Sequence, residues 1–465
     1  METRTTGMFK SLQAIPIQKS MVKFNIDKQT FTDLNIFPEK KDDISIFGFF
    51  NYTKTDKGKD MLMDLMRNPI NDIVLLKDRI DTVKFIVDNS FKIDIIERDI
   101  DFVEYYLNDN AAILRDNFIN SFFDWIGNKF KPRNEYYVIS KGIEILRKYL
   151  RYLEEVILDI EETKLPYFFE NSIEELKSIF EKKSIKQFIN KKQNLSFRQR
   201  NHFDYLIRKI EKENIKKILN FTYKLDAFLS ISEAAQKNQF SFPEYSSSEK
   251  PSLKINEIFH PFIKEPVSNN FQFEENNNLC FLTGANMSGK STFLKSIGLC
   301  IYLSHIGFPV PAKEMETTIF NGLLSTINIA DNINKGYSHY YSEVKRVKET
   351  ALIIQENEKV VVIFDELFRG TNVKDAFDAS LLITSAFSKI KSCLFFISTH
   401  ITEIAEDLKK HENILFKYFE SSLDGEIPIY NFKLQNGISN ECLGLQIVKN
   451  EKILEILDEI TKDQR

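Results

Sequence analysis

Residues 279 to 292 read Leu279-Cys280-Phe281-Leu282-Thr283-Gly284-Ala285-Asn286-Met287-Ser288-Gly289-Lys290-Ser291-Thr292, and Gly284 to Ser291 fits G-x-x-x-x-G-K-[ST]. Each fixed position of that pattern has chemical work to do. Gly284 and Gly289 let the backbone turn and approach an anion with no Cβ in the way. The amides of the loop, Ala285 through Ser288, and of the next helix's first turn, through Thr292, then point at phosphate oxygens. Lys290 is placed to reach the β- and γ-phosphates, and the Ser291 hydroxyl to ligate Mg²⁺. The expected ligand is a nucleoside triphosphate with Mg²⁺.

Further along, Val360-Val361-Val362-Ile363-Phe364 runs into Asp365-Glu366. A buried strand that ends in paired carboxylates suits a phosphate loop: Asp365 is expected to hold Mg²⁺ and Glu366 to polarise the attacking water. Ser398-Thr399-His400 follows another apolar run, Cys393 to Ile397. There His400 is expected to sense the γ-phosphate from a third strand end.

The elements that must position these groups follow from the pattern around them. Leu279–Thr283, Val360–Phe364 and Ser392–Ser398 are unbroken β-rich runs, as expected for central strands of a parallel sheet. Residues 252–450 alternate such strands with amphipathic helices, which predicts an α/β domain with helices on both faces of its sheet. Before it, residues 25–240 read as all-α. The spacing predicts helices from Ser45, over Lys59–Arg67 (ended by Asn68-Pro69), over Ile73–Asn89 with Asp72 as N-cap, and over Asp101–Leu107, Ser140–Glu162, Ser172–Phe188 and Phe197–Lys237. Helices of that length suit either projecting levers or a compact bundle. Residues 1–24 read as a loose lead-in, 241–251 as a linker, and 451–465 as a closing helix and a possible dimer contact.

The chain has 465 residues with a formal net charge of −4, so no global basic field draws it to polyanions. One local run departs from this: residues 180–218 hold 12 Lys and Arg against 4 Asp and Glu. It is the candidate contact for a phosphate backbone, the alternative being a solvated helix face. Cys280, Cys300, Cys393 and Cys442 have neither metal nor disulfide spacing and fit a reducing interior. No signal-peptide core and no stretch of the roughly 20 apolar residues needed to span a bilayer is visible, so a cytoplasmic protein is expected.

Taken in order, these motifs resemble the ATPase domain of the MutS family of DNA mismatch-repair proteins, within the ABC-type P-loop ATPases. Thr283 to Thr292, with its Asn286-Met287 filling, resembles the family's phosphate loop. Val310-Pro311-Ala312, Asp365 to Thr371 and Ser398-Thr399-His400 are similar to three further family motifs. Asp331 to Glu343 is similar to the loop that carries a serine and a glutamate. His260-Pro261, Asn269-Asn270 and Asn436 to Leu445 continue the likeness, as do Asp27 to Asn35, Thr53 to Gly58 and Leu225 to Phe228 of the core or lever domain.

The resemblance implies a homodimer with composite ATP sites, in which Ser338 reaches the partner's γ-phosphate and Gly336 permits the approach. It implies ATP-driven closure on DNA through the helical domain. Departures are visible as well. Gly7-Met8-Phe9-Lys10 offers only part of the family's mismatch-reading motif, and Tyr167-Phe168-Phe169-Glu170 has its letters without the glycine. The wedge and connector domains are therefore expected to be absent and the clamp short or absent. Ala285 stands where the family has proline, Phe368 where it has glycine, and Pro266 or Val267 where an aromatic ring stacks on adenine. Two readings result: an ATP-dependent DNA-binding protein, or an ATP-driven switch that acts on a protein partner. Salt dependence separates them, because phosphate contacts weaken as salt rises.

Overall fold

The computed structural model describes residues 24–40, 43–109, 113, 134–160, 165–191, 195–327, 339–424, 427–439, 453 and 456–457. The expectations for Gly7 to Lys10, for Asp331 to Ser338 and for most of the closing helix lie outside those residues.

From the amino end, the helical half consists of α1 (Lys28–Asp33), α2 (Ile46–Phe50), α3 (Asp56–Arg67), α4 (Ile73–Asp88), α5 (Glu97–Asn108), α6 (Asn134–Asp159), α7 (Tyr167–Phe180), α8 (Lys183–Ile189), α9 (Phe197–Tyr205) and α10 (Lys212–Asn238). Short polar side chains start several of them. Asp72 accepts from the amides of Val74 and Leu75, Thr55 from that of Gly58 and Ser45 from that of Gly48.

Two of the expected long helices are broken. The run 172–188 divides into α7 and α8 because its apolar stripe jumps from Phe180 to Ile185, out of step with a 3.6-residue period. The run 197–237 is interrupted by a π turn, Leu206–Ile210, closed by the Glu211 amide on the Leu206 carbonyl at 2.8 Å. That extra residue turns Arg208 inward, 3.6 Å from Asp204 and donating to the Asp109 carbonyl at 2.6 Å. Tyr167 to Glu170 opens α7, and Phe169 is fully buried against Phe85 and Phe91, so these rings belong to the core.

The helices pack as a bundle around α10, which α2, α3, α4 and α7 all contact. Asp226 of α10 fixes the start of α3: it accepts from the amides of Lys54 and Thr55 and from the Thr55 hydroxyl. A Cβ at Gly58 would lie 2.2 Å from an Asp226 carboxylate oxygen, so only glycine allows this approach.

The strands are β1 (Asn25–Ile26), β2 (Glu244–Tyr245), β3 (Leu253–Ile258), β4 (Asn269–Gln272), β5 (Leu279–Thr283), β6 (Glu314–Thr317), β7 (Gly322–Thr326), β8 (Val360–Asp365), β9 (Leu394–Ser398), β10 (Ile414–Asp424) and β11 (Ile427–Asn436). The seven-stranded sheet runs β1-β7-β8-β9-β5-β10-β11, parallel except for the β10–β11 hairpin. Strands β5, β7, β8 and β9 are buried along their whole length, which is why β5, β8 and β9 read as apolar runs. Helices α11 (Lys290–Ser304), α12 (His339–Glu356), α13 (Val373–Ser388) and α14 (Ile404–Leu408) alternate with these strands. A four-stranded sheet, β2-β6-β3-β4, sits beside the larger one.

Two stretches not read as strands are built into the sheets. Residues 241–251, expected as a linker, supply β2, which pairs with β6, while Tyr245 donates to the Ser304 carbonyl at 2.5 Å. The strand β1, inside the stretch read as all-α, pairs in parallel with β7. One hydrophobic cluster accordingly runs from Phe24 through the bundle to Phe419 of the sheet.

Candidate functional site

Strand β9 lies between β5 and β8, so their carboxyl ends bring three loops to one crevice. In register, Ser398 stands opposite both Leu282 and Asp365. The sequence-derived groups from the three strand ends meet here.

In the phosphate loop, Gly284 and Gly289 have φ of 143° and 106°, both left-handed. A Cβ on Gly284 would come within 2.9 Å of the Ser288 hydroxyl and 3.2 Å of the Phe419 carbonyl of β10. Asn286 and Met287 are exposed at the crown of the loop, whereas Ser288 and Lys290 are buried. The Lys290 ammonium donates to the carbonyls of Gly284 and Ala285 at 2.8 and 3.1 Å and lies 3.9 Å from Glu366. Burial pulls its pKa down, and the carboxylates of Glu366 and Asp365 work against that shift.

Asp365 is held at both carboxylate oxygens, one taking the Ser291 hydroxyl and the other that of Ser398. Ser398 Oγ in turn accepts from the Glu366 amide at 3.1 Å. Sequence reasoning passed over Ser398, although its place opposite Asp365 in the next strand marks it.

Glu366 takes a left-handed φ of 56° and lies beside Lys290, Arg369 and His400. Arg369 Nε lies 2.9 Å and His400 Nδ1 3.5 Å from the same carboxylate oxygen. The hydrogen bond to His400 draws its pKa down most; burial opposes this, and the charges of Arg369 and Lys290 add to it. Glu366 is therefore ionised at neutral pH, able to orient a water but weak as a base.

Phe368 also has a left-handed φ, 63°, where glycine would sit without strain. Its ring is buried and meets Tyr340 of α12 at 5.7 Å. Glu343 of the same helix accepts from the Arg369 amide at 3.3 Å.

Of these groups, Lys290, Ser291, Glu366 and Arg369 line a cavity of about 550 Å³ whose far wall includes His260, Pro266, Val267, Phe419 and Phe432. Phe432 was not foreseen. It comes from β11, adopts φ of 56°, and is 41% exposed, so its ring is free to face a ligand. The Asn269 amide holds its carbonyl at 3.0 Å. No period in the sequence brings residue 432 to residue 289; only the β10–β11 hairpin does. His260 is pulled down to about 4 by burial, with Lys295 adding to the shift, so it presents a neutral ring.

The residues present fit ATP and Mg²⁺. The Ser288 hydroxyl is buried without a hydrogen-bond partner among the described residues, as expected of a group placed for a phosphate oxygen. Ser291 and Asp365 offer a hydroxyl and a carboxylate side by side, hard oxygen donors of the kind Mg²⁺ takes together with phosphates. Ser338 lies outside the described residues. The basic run 180–218 does not form one face: Arg208 is buried, and Lys216 and Lys217 pair with Glu213 and Glu175. Among the described residues no helix is long and apolar enough to cross a membrane.

Residues 280–463 match the family model of MutS domain V, the ATPase domain of that family. The DNA mismatch repair protein MutS of Petrotoga mobilis is 29% identical over 51% of this chain and 29% of its own length. MutS protein homolog 4 of Mus musculus is 30% identical over 53% of this chain and 27% of its own. The DNA mismatch repair protein MutS of Anaplasma phagocytophilum is 29% identical over 48% and 27%. The match thus spans less than a third of each of these relatives. By the matched domain and these relatives, residues 280–463 form a domain of the MutS family's domain V type.

Proposed function

We propose that the chain is an Mg²⁺-dependent ATPase that couples nucleotide binding to movement of its helical half on DNA. The observation that carries the ATPase reading is the meeting of Lys290, Ser291, Asp365, Glu366 and Ser398 at adjacent strand ends beside a buried, unpartnered Ser288 hydroxyl. In this reading the loop amides and Lys290 grip the phosphates, and the ring of Phe432 together with Pro266 and Val267 walls the base. Ser291 and Asp365 would hold Mg²⁺, which neutralises charge on the transferring phosphoryl group. Glu366 orients the attacking water, and His400 stands beside the γ-phosphate. In the structure, His400 and Arg369 share one Glu366 oxygen, leaving Oε1 turned toward Lys290.

Coupling has a physical route. Asp33 of α1 accepts from the Ser325 hydroxyl at 2.7 Å and the Ile327 amide at 2.9 Å, and Arg346 of α12 pairs with Asp27 at the N-cap of α1. The sheet end next to the ATP site is thereby tied to the first helix of the bundle. A dimer in which a second copy contributes Ser338 completes the proposal, either with itself or with a related chain.

The experiment is ATP turnover with and without Mg²⁺, homoduplex, mismatched duplex and four-way junction, at low and raised salt. Turnover that needs Mg²⁺ and rises with a DNA in a salt-sensitive way supports the whole reading. No hydrolysis under any condition would remove it. Hydrolysis indifferent to every DNA would favour the second reading, a switch acting on a protein partner, to which the partial neutralisation of 180–218 already lends weight.

A further inference from the structure

The helical half carries a second cleft, of about 510 Å³, which shares no lining residue with the ATP site. One wall is α6, which contributes Lys141, Arg147, Lys148 and Arg151; Arg200 of α9 stands in the other. Glu144 is the one acidic side chain lining it among the described residues. It lies 3.1 Å from Lys141.

The arginines are fixed by main chain. Arg151 donates to the Ile189 carbonyl at 2.6 Å and Arg147 to the Lys191 carbonyl at 3.5 Å, both at the carboxyl end of α8. The carbonyl orients the Arg151 guanidinium without cancelling its charge. Arg200 donates to the Tyr136 hydroxyl at 3.0 Å and lies over its ring, again neutral partners. Arg147 is 5% exposed; burial, then the neighbouring charge of Arg151, pulls its pKa down, and the charge of Glu144 opposes the shift.

Such crowding of like charge in a partly dry cleft costs stability unless an anion enters. Ser140, also in the cleft wall, carries a buried hydroxyl with no hydrogen-bond partner among the described residues. Tyr137 is 65% exposed at the rim.

The length of the basic stripe suits a polyanion with repeated charges. Lys141, Lys148 and Arg151 fall on one face of α6, and from first to last the helix rises about 15 Å. Along a duplex axis, at about 3.4 Å per phosphate of one strand, that length passes roughly four phosphates. Repeated cations along a groove with an exposed aromatic ring at its edge suit a strand that offers phosphates to the stripe and a base to the ring.

We infer that this cleft between α6 and α9 binds the sugar-phosphate backbone of a nucleic-acid strand. This rests on the DNA part of the proposed function and places that contact mainly on 141–151, with Arg200 the contribution of the 180–218 run. Sequence pattern missed it because Lys141, Lys148 and Arg151 are diluted among apolar residues of one long helix.

The test is fluorescence anisotropy of the full chain with a labelled strand of about 20 nucleotides and with its duplex, between about 50 and 200 mM salt. The Lys141→Gln/Lys148→Gln double variant changes surface positions of α6, so its fold and DNA-free ATPase rate should match the parent. The expected result is roughly tenfold weaker binding at the lowest salt and a salt slope shallower by about two. Affinity and slope equal to the parent's would overturn the cleft assignment while leaving DNA binding in place. Displacement of the strand by polyaspartate as readily as by unlabelled nucleic acid of equal charge would overturn it in favour of an acidic protein ligand. No binding of either probe by the parent would overturn it together with the DNA reading, with the ATPase rate reporting the nucleotide site independently.

Discussion

Ser398 shows how much one side chain contributes to this site. It donates to the carboxylate that would hold Mg²⁺ and accepts from the amide of the residue that would orient water. Ser398→Ala removes a hydrogen bond to a charged group and frees Asp365 to rotate. The expected outcome is roughly a tenfold rise in the Mg²⁺ needed for half-maximal turnover, read by titration at saturating ATP, with nucleotide affinity little changed. Lys290→Ala should weaken ATP binding at least roughly a hundredfold by equilibrium titration, since it deletes the buried cation of the loop. Glu366→Gln keeps the shape of the site, so it should bind ATP while turnover falls by roughly 10² to 10⁴. Normal turnover by that variant would remove Glu366 from its role. The residues that sequence exposed most clearly, Gly284 to Thr292 and Asp365-Glu366, work through neighbours in the chain, so their spacing carries the meaning. Ser398, Phe432 and the Arg369–Glu366 ion pair depend on strand order and on left-handed φ values at Glu366 and Phe432. No linear pattern records those.

At the scale of elements, helix existence was legible and helix continuity was not. The apolar period of 197–237 runs across the π turn at Leu206–Ile210, because one inserted residue shifts the phase without breaking it. The strand β1 was invisible, since two residues paired to a distant strand leave no period. What seats the elements is polar and local. Gly58→Ala places a methyl on the Asp226 carboxylate and should cost roughly 1–3 kcal/mol in denaturant unfolding. His305, at the end of α11, accepts from the Phe320 amide at 2.9 Å and donates through Nδ1 to the Ile301 carbonyl. Burial pulls its pKa to about 4, below the ordinary value of 6.5. The unfolded chain thus takes up the proton first. The stability tied to the neutral ring is complete above about pH 6.5 and is lost as pH falls toward 4, an effect of about 3 kcal/mol. Urea unfolding at stepped pH should show this acid slope. His305→Gln should lower stability at pH 7 and flatten the slope by about one proton; an unchanged slope would clear His305 of the role.

The whole molecule is knit across the expected boundary between its halves. Phe50 of α2 meets Phe308 at 5.3 Å, Phe49 meets Phe262 at 6.4 Å, and Arg79 donates to the Ile306 carbonyl at 2.9 Å. A shared core makes independent melting of bundle and sheet costly, because either half alone would expose these rings to water. Heating should therefore give one transition by calorimetry. ATP at about 100 times its dissociation constant adds roughly 2.7 kcal/mol to the folded state. For a chain of this length that is a rise of about 3 °C, and the helical signal at 222 nm should move with the calorimetric peak. Hydrogen exchange offers a finer reading: the slowest amides of α10, which has no residue in the ATP cavity, should gain protection in parallel with those of β8. Arg346 joins the halves at the start of α1, binding Asp27, the Thr326 hydroxyl and the Ser325 carbonyl together. Arg346→Ala should leave ATP binding to the loop intact but reduce the protection that ATP confers on α1 and α10 relative to β8. Equal protection in variant and parent would show that the halves communicate through the apolar core alone, and that α1 is a passenger rather than the tie.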